Sequence, residues 1–397
     1  MTTRVDDSGH VRTPAEVATT RSSGSRTPDG AAYWDPARFR TELEQLFYRQ
    51  WLCVAREQEL AAPGDFLTRR IGRESLLFVR EPGGIIRGFY NLCRHRGTRV
   101  VSESDGTGKH SFVCPYHSWT YDLNGRLLAA RHMEEQEGFD RADYGLLPVR
   151  VDTWGGFVWT NLDPEAPPLR ESLGTFFDRI ARFPLADLRL GARKTYEVEA
   201  NWKMLVENFS ECYHCAPVHP NLNRLTPYLS GENDASFHPP EGRSLFAGGF
   251  MTFAKDYQSM TRSGYTSRPL LPGMTAEDRR RVYYYVVFPN MFFSLHPDYL
   301  MVHRCWPAST SHSRVENEFY FPREVAEAPG FDPSDATDLW DEINRQDWAI
   351  CELAQEGTGS RAWTGGRYSD RETMVRDFDE FVLEELRRGR DPTAPQP

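Results

Sequence analysis

Two short segments constrain this chain more than any other feature. "NLCRHRGTRV" at 91–100 holds Cys93 and His95, and "FVCPYHSWTY" at 112–121 holds Cys114 and His117. Two thiolates and two imidazoles can hold structural zinc, or a two-iron cluster with both cysteines on one iron and both histidines on the other. Zinc fingers usually pair Cys with Cys and His with His, the histidines on a helix. Here each Cys is paired with a His, and both pairs sit in strand-and-turn sequence. Each loop then offers one thiolate to one iron and one imidazole to the other. Gly97, Pro115 and Ser118 suit tight loops whose backbone N–H groups would tune such a centre. Replacing two anionic thiolates by neutral imidazoles makes the cluster easier to reduce, at about −150 to +300 mV against about −400 mV for plant-type ferredoxins. The plainer alternative is two Cys/His pairs lying by chance in a β core.

A second constellation lies in "NWKMLVENFSECYHCAPVHP", which reads as helical and holds Glu211, His214 and His219. Two neutral imidazoles and a distant carboxylate form the facial triad of non-haem Fe(II), leaving positions open for O2 and substrate. Glu211 and His214, at i and i+3, are expected to share a helix face. His219 follows Pro217, where a turn can return it to the same metal. The carboxylate must come from elsewhere. Asp347, on a long helix expected over about 335–357 with Leu339, Ile343 and Ile350 on its apolar face, is the candidate. Asp341, Glu342 and Glu352 are rivals on that helix, and a solvated helical Asp is the plain reading of Asp347. For the two histidines the plain reading is a pair of hydrogen-bonded core residues.

The rest of the chain frames these sites. At 397 residues with 39% hydrophobic and 13% aromatic content, it can build two or three domains and is not globally disordered. A net charge of −10 argues against nucleic acid as partner, and no apolar run is long enough to span a membrane. Seven scattered cysteines, an odd number, do not read as a disulfide framework, so a reducing cytoplasm is the expected setting. Residues 1–32 read as a flexible leader without a secretory signal. A helix follows at 33–52, where Phe39, Leu43, Leu46 and Phe47 share a face. From 53 to 165 short alternating runs such as "SLLFVR" and "GGFVWTNL" predict an all-β unit. A Pro-rich join then leads into an α+β domain at 166–390, with β-type runs such as "VYYYVVFPNMFFSLH", a closing helix at about 370–388 and a flexible tail at 391–397.

With C-R-H-R-G-x16-C-P-Y-H-S-W and E-N-x2-E-x-Y-H-x4-H both in place, the chain resembles the catalytic α subunit of Rieske non-haem iron oxygenases over nearly its full length. The resemblance implies an all-β Rieske [2Fe-2S] module joined to a catalytic domain built on a helix-grip-like antiparallel sheet. It implies Cys93, His95, Cys114 and His117 as cluster ligands, and His214, His219 and Asp347 on a mononuclear Fe(II). Glu211 would be the electron bridge to a neighbouring subunit in a homotrimer. It further implies O2 as oxidant, with NAD(P)H electrons delivered by a flavin/iron-sulfur reductase or ferredoxin. Most members carry Asp at the position of Glu211 and one more residue before it. The Glu variant is similar to the subgroup acting on quaternary ammonium compounds, such as glycine betaine and carnitine oxygenases. An N-methyl hydroxylation there would release formaldehyde, an N-demethylation. A quaternary ammonium has no N–H to donate and binds π faces, for which Phe250, Phe292, Phe293, Tyr299 and Trp363 are candidate walls. Rival readings are an oxygenase for an aromatic or natural-product substrate, and a zinc-containing binding protein without catalysis.

Overall fold

Alternating apolar residues in short runs build the first half of the chain as strands. The computed structural model describes residues 26–133, 135–240 and 242–388. A seven-stranded antiparallel sheet has the order β1 (Leu52–Arg56), β10 (Phe157–Asn161), β9 (Pro148–Trp154), β4 (Ile86–Tyr90), β3 (Glu74–Arg80), β2 (Phe66–Ile71) and β5 (Asp105–Gly106). A small three-stranded sheet, β6 (Phe112–Val113), β7 (Thr120–Tyr121) and β8 (Leu127–Ala129), lies beside it. One Cys/His loop follows β4 and the other joins β6 to β7, so the two pairs come from different sheets. Phe66, Phe89, Phe112, Trp119 and Tyr121 pack beneath them in a core of their own.

The second half is a larger antiparallel sheet of order β11-β17-β16-β15-β14-β13-β12. Its strands are β11 (Arg189–Val198), β12 (Glu232–Ala235), β13 (Phe246–Thr252), β14 (Arg281–Val287), β15 (Met291–Leu295), β16 (Leu300–Ser309) and β17 (His312–Phe321). The period-two pattern of "VYYYVV" sends Tyr285 to one face and Tyr284 to the other. The Tyr285 face, with Phe246 and Phe293, packs on Phe176 of helix α2 (Leu169–Ile180). The Tyr284 face, with Phe292 and His303, meets α3 (Trp202–Phe209) and α6 (Ser334–Thr358), through Phe209 and Trp348. The metal-site side chains stand on this second face.

The N-terminal helix α1 (Pro36–Glu42) runs on into a wider turn over Leu43–Phe47 and buries Leu43, Leu46 and Phe47 as its periodicity predicts. Glu42 accepts from Lys203 Nζ at 2.7 Å on both carboxylate oxygens and from Trp202 Nε1 at 2.9 Å, while Phe47 stacks edge-on against Trp202. This ties α1 to α3. Residues 26–32, within the expected flexible leader, are instead held. Arg26 bridges to Arg367 and donates to Gly365 O at 2.8 Å, and a helical turn begins at Ala31. The rest of the leader, 1–25, and the tail, 391–397, lie outside the described residues.

The two halves are joined by polar groups, of which Asn290 and Arg304 are fully buried. Asn290 exchanges two 3.0 Å hydrogen bonds with the backbone of Cys53 on β1. Arg304, fully buried on β16, bonds Glu318 at 2.7 Å and Glu316 at 3.2 Å, and Arg193 links Glu318 to Glu59 of the first half. Burial would raise the Glu59 carboxyl, but the guanidiniums of Arg304, Arg69 and Arg193 outweigh it and hold it down at about 2. No helix among the described residues is long and apolar enough to cross a membrane.

Candidate metal centres

The two Cys/His loops share one design. Gly97 N–H returns to Cys93 O at 3.0 Å, and Ser118 N–H to Cys114 O at 3.0 Å. Each closing residue has positive φ, +70° at Gly97 and +58° at Ser118. Glycine takes that conformation freely; serine does so at a cost of order 1–3 kcal/mol that the surrounding loop must offset. Cys93 and Cys114 are buried, 1% and 2% exposed, whereas His95 is exposed and His117 half-buried. The two imidazoles lie 4.6 Å apart between centroids, and His95 stacks on Trp119 at 4.9 Å. Tyr121 Oη lies 3.3 Å from Cys93 Sγ and accepts from Arg94 N–H at 3.0 Å. Buried thiols beneath paired surface imidazoles match a Cys2His2 two-iron centre better than a zinc finger, whose histidines lie on a helix.

The second constellation is assembled differently from the expected helix face. α3 ends at Phe209: Ser210 Oγ donates to Val206 O at 2.6 Å, and the chain turns. The Glu211 carboxylate then accepts from the N–H groups of Tyr213 and His214, capping the next turn instead of extending the helix. Glu211 and His214 are adjacent because of this cap and not because of a helical i, i+3 relation. The short helix α4 (Cys215–Val218) ends at His219, which opens α5 (Pro220–Leu225).

His214, His219 and Asp347 each offer a ligand atom, all within 4.8 Å of one another. His219 Nε2 lies 2.7 Å and His214 Nε2 3.2 Å from Asp347 Oδ1. The other ring nitrogens set the tautomers. His219 Nδ1–H donates to Gln346 Oε1 at 2.8 Å, and His214 Nδ1–H to Glu211 Oε1, so both Nε2 lone pairs point at one place. Burial pushes the His214 imidazolium down, yet Asp347 and Glu211 outweigh it and raise it to about 10, so a metal must displace a proton from Nε2 before that lone pair can bind. Burial likewise works against the Asp347 carboxylate, which the two imidazoles hold below its ordinary value. Two imidazoles with one carboxylate, their donor atoms converging, suit Fe(II).

The rivals of Asp347 are engaged elsewhere. Asp341 accepts from Tyr196 Oη at 2.8 Å, Glu342 from Asn221 at 2.7 Å and Glu352 from Glu199 N at 3.1 Å. Ile350, expected on the apolar face of α6, is instead 38% exposed; the buried stripe runs through Leu339, Ile343, Trp348 and Cys351. Gln346 escaped the sequence reading, since nothing local marks its pairing with a residue 127 positions earlier.

A cavity of about 260 Å³ opens over these ligands, walled by Phe209, Tyr228, Phe250, Met251, Tyr284 and Trp340. Of the aromatic residues expected to form a substrate wall, Phe250 lines it, with the Arg281 guanidinium 3.7 Å over its ring. The others do not. Phe292 backs Phe209 at 4.5 Å, and Phe293 faces α2 on the far side of the sheet. Tyr299 is buried behind Trp340, donating to Met260 O at 2.7 Å, and Trp363 donates to Pro28 O at 3.3 Å near the N-terminal segment. Strand parity and helix phase decided these positions, and neither was fixed by composition. Among the described residues, Glu211, Glu232, Asp347 and Asp370 line the cavity with a single lining guanidinium, Arg371, while Arg281 stands behind Phe250. The cysteines do not read as a disulfide framework, yet Cys212 and Cys215 are joined as a disulfide at the cavity wall.

Two families match the chain: residues 50–147 the Rieske [2Fe-2S] domain, and residues 185–388 the ring hydroxylating alpha subunit (catalytic domain). The chain is 31% identical over 388 residues to the glycine betaine monooxygenase oxygenase subunit of Chromohalobacter salexigens, covering 91% of this chain and 86% of that one. It is 31% identical over 332 residues to the carnitine monooxygenase oxygenase subunit of Acinetobacter pittii, covering 82% and 84%. Among solved structures, a quaternary ammonium Rieske monooxygenase superposes with a TM-score of 0.77 at 25% identity, covering 91% of this chain and 96% of that one. A Rhodococcus naphthalene 1,2-dioxygenase shares the fold with a TM-score of 0.74 at 20% identity, covering 92% and 95%.

Proposed function

The chain belongs to the Rieske-type, ring-hydroxylating family of non-haem iron oxygenase catalytic subunits, and on that premise we propose that it oxygenates an N-methyl C–H bond of a quaternary ammonium compound. The observation that carries this reading is the charge of the cavity. Even with a divalent ion balancing two of the four carboxylates, Glu232 and Asp370 at the exposed rim outnumber Arg371, the guanidinium that lines the cavity with them. Such a pocket favours a cation over a neutral ring, and its aromatic walls offer π faces to a group that cannot donate a hydrogen bond. Its volume, about 260 Å³, suits a small substrate.

Cys93, His95, Cys114 and His117 would hold the [2Fe-2S] cluster, and His214, His219 and Asp347 the mononuclear iron. When bound, these centres supply electrons and O2 activation, which side chains alone cannot. The protein's part is positioning. Gln346 and Glu211 hold the two imidazoles in one tautomer, and the aromatic walls exclude water and turn an N-methyl group toward the iron. His95 is exposed, so a flavin/iron-sulfur reductase or ferredoxin can reach the imidazole end of its loop. Glu211, half-buried at the cavity, is the residue we assign to electron passage from a neighbouring subunit in a homotrimer working in the cytoplasm.

The test is substrate-dependent O2 uptake with a surrogate reductase and NADH, comparing trimethylammonium compounds with neutral aromatic rings. Uptake with formaldehyde release from the ammonium compounds is expected. Turnover of the rings alone would overturn the substrate assignment.

A further inference from the structure

We propose that Cys212 and Cys215 form a redox-modifiable latch on the metal-binding turn, opened by dithiols and closed by hydrogen peroxide. The inference rests on the reading that His214 holds iron. The motif is E-C-Y-H-C, with a cysteine on each side of Tyr213 and His214. The two Cα atoms lie 4.9 Å apart, within the range a disulfide needs, and the sulfurs are bonded. Cys215 N–H also returns to Cys212 O at 3.1 Å, so the turn brings the thiols together even without the bond. Both cysteines line the cavity; Cys215 is 3% exposed and Cys212 half-buried, 3.7 Å from Met251 Sδ. The remaining cysteines are Cys93 and Cys114 in the first metal-binding loops and the buried Cys53, Cys305 and Cys351.

The bridge encloses His214 in a four-residue ring. Within that ring the Tyr213 and His214 N–H groups bond Glu211, and His214 Nε2 faces Asp347. The bridged turn is therefore the one in which all three ligand atoms converge. Opening it leaves His214 aimed by hydrogen bonds alone, to Glu211 and across the turn, and so loosens it, while His219, held by Gln346 and by the helices on either side, stays in place. Closing joins the two sulfurs: both S–H bonds and the peroxide O–O bond break, the sulfurs lose two electrons to the peroxide, and two waters leave. Opening by an external dithiol runs through thiol–disulfide exchange, which returns two electrons and two protons to the cysteines and leaves the dithiol oxidised.

The experiment compares full-length protein treated with hydrogen peroxide or with a dithiol that is then removed. Alkylation and peptide mass give the state of the 212–215 peptide. The rate at which the mononuclear site gives up Fe(II) or Co(II) to a chelator gives the consequence, and visible absorbance of the [2Fe-2S] cluster reports that the fold is intact. The peptide should carry two more alkyl groups after the dithiol, and reduced protein should lose metal about tenfold faster. A Cys212→Ser/Cys215→Ser variant should lose it at the fast rate under either treatment. Equal rates in the bridged and open wild type, or two alkylated cysteines after peroxide, overturn the latch. A site that takes up no metal in either state overturns the iron reading instead.

Discussion

Replacing Gln346 by alanine tests how far the metal site depends on groups that never touch the metal. His219 is 1% exposed, and its Nδ1–H has one partner, Gln346 Oε1 at 2.8 Å. That bond keeps the proton on Nδ1 and the lone pair on Nε2, 2.7 Å from Asp347 Oδ1. Without it, the proton can move to Nε2, where it bonds Asp347 and blocks the metal; a metal must then displace it. Removing such an orienting partner costs about 10–100-fold in metal affinity, or about 1.4–2.7 kcal/mol. The assay is competition for Fe(II) or Co(II) between the protein and a chelator of known affinity, with the [2Fe-2S] absorbance as internal control. Gln346→Glu keeps an acceptor at the same place and should retain tight binding. An unchanged competition midpoint for Gln346→Ala, with normal absorbance, would refute the tautomer argument.

Other outcomes follow from the same geometry. Glu211→Gln should retain both metals, since Glu211 is not a ligand, yet lose turnover; metal analysis with O2 uptake decides it, and full activity contradicts the assigned bridge. Glu42→Ala leaves Lys203, 3% exposed, buried without its counter-ion and should destabilise the fold by about 3–5 kcal/mol in urea unfolding. Glu59 falls from an ordinary 4.5 to about 2, so its stabilising effect, about 3 kcal/mol, is complete above pH 4.5 and fades as pH falls toward 2. The stability gap between wild type and Glu59→Gln should therefore shrink on acidification, and a gap independent of pH counts against the ion network. Asp370→Asn should raise KM for a cationic substrate about two- to fivefold at low salt, with the difference lost at high salt.

Spacing made the donors legible. Cys93, His95, Cys114 and His117 stand out because a thiol beside an imidazole, twice, has few structural uses, and His214 and His219 stand out beside them. Hydrophobic pattern made the elements legible: α6 spans Ser334–Thr358 against an expected 335–357, and the strands fall on short apolar runs, some alternating and some buried throughout. Local pattern misread the segment at 210–214, because a Glu side chain satisfied N–H groups that a longer helix would have used. It also could not say which aromatic residues line the cavity. Phe292 and Phe293 are neighbours in sequence, yet one faces the metal side of the sheet and the other faces α2.

What the sequence determined by itself is chemistry: which atoms can bind metals, and which stretches must bury one side. Those properties are local and travel with the residue type. What only the tertiary structure decided is convergence. Asp347 was chosen over Asp341, Glu342 and Glu352 by the phase of one helix against one sheet, and Gln346 gained its role from a contact across 127 residues. Such choices depend on packing between elements distant in the chain, where a rotation of one helix position swaps the residue that faces the metal.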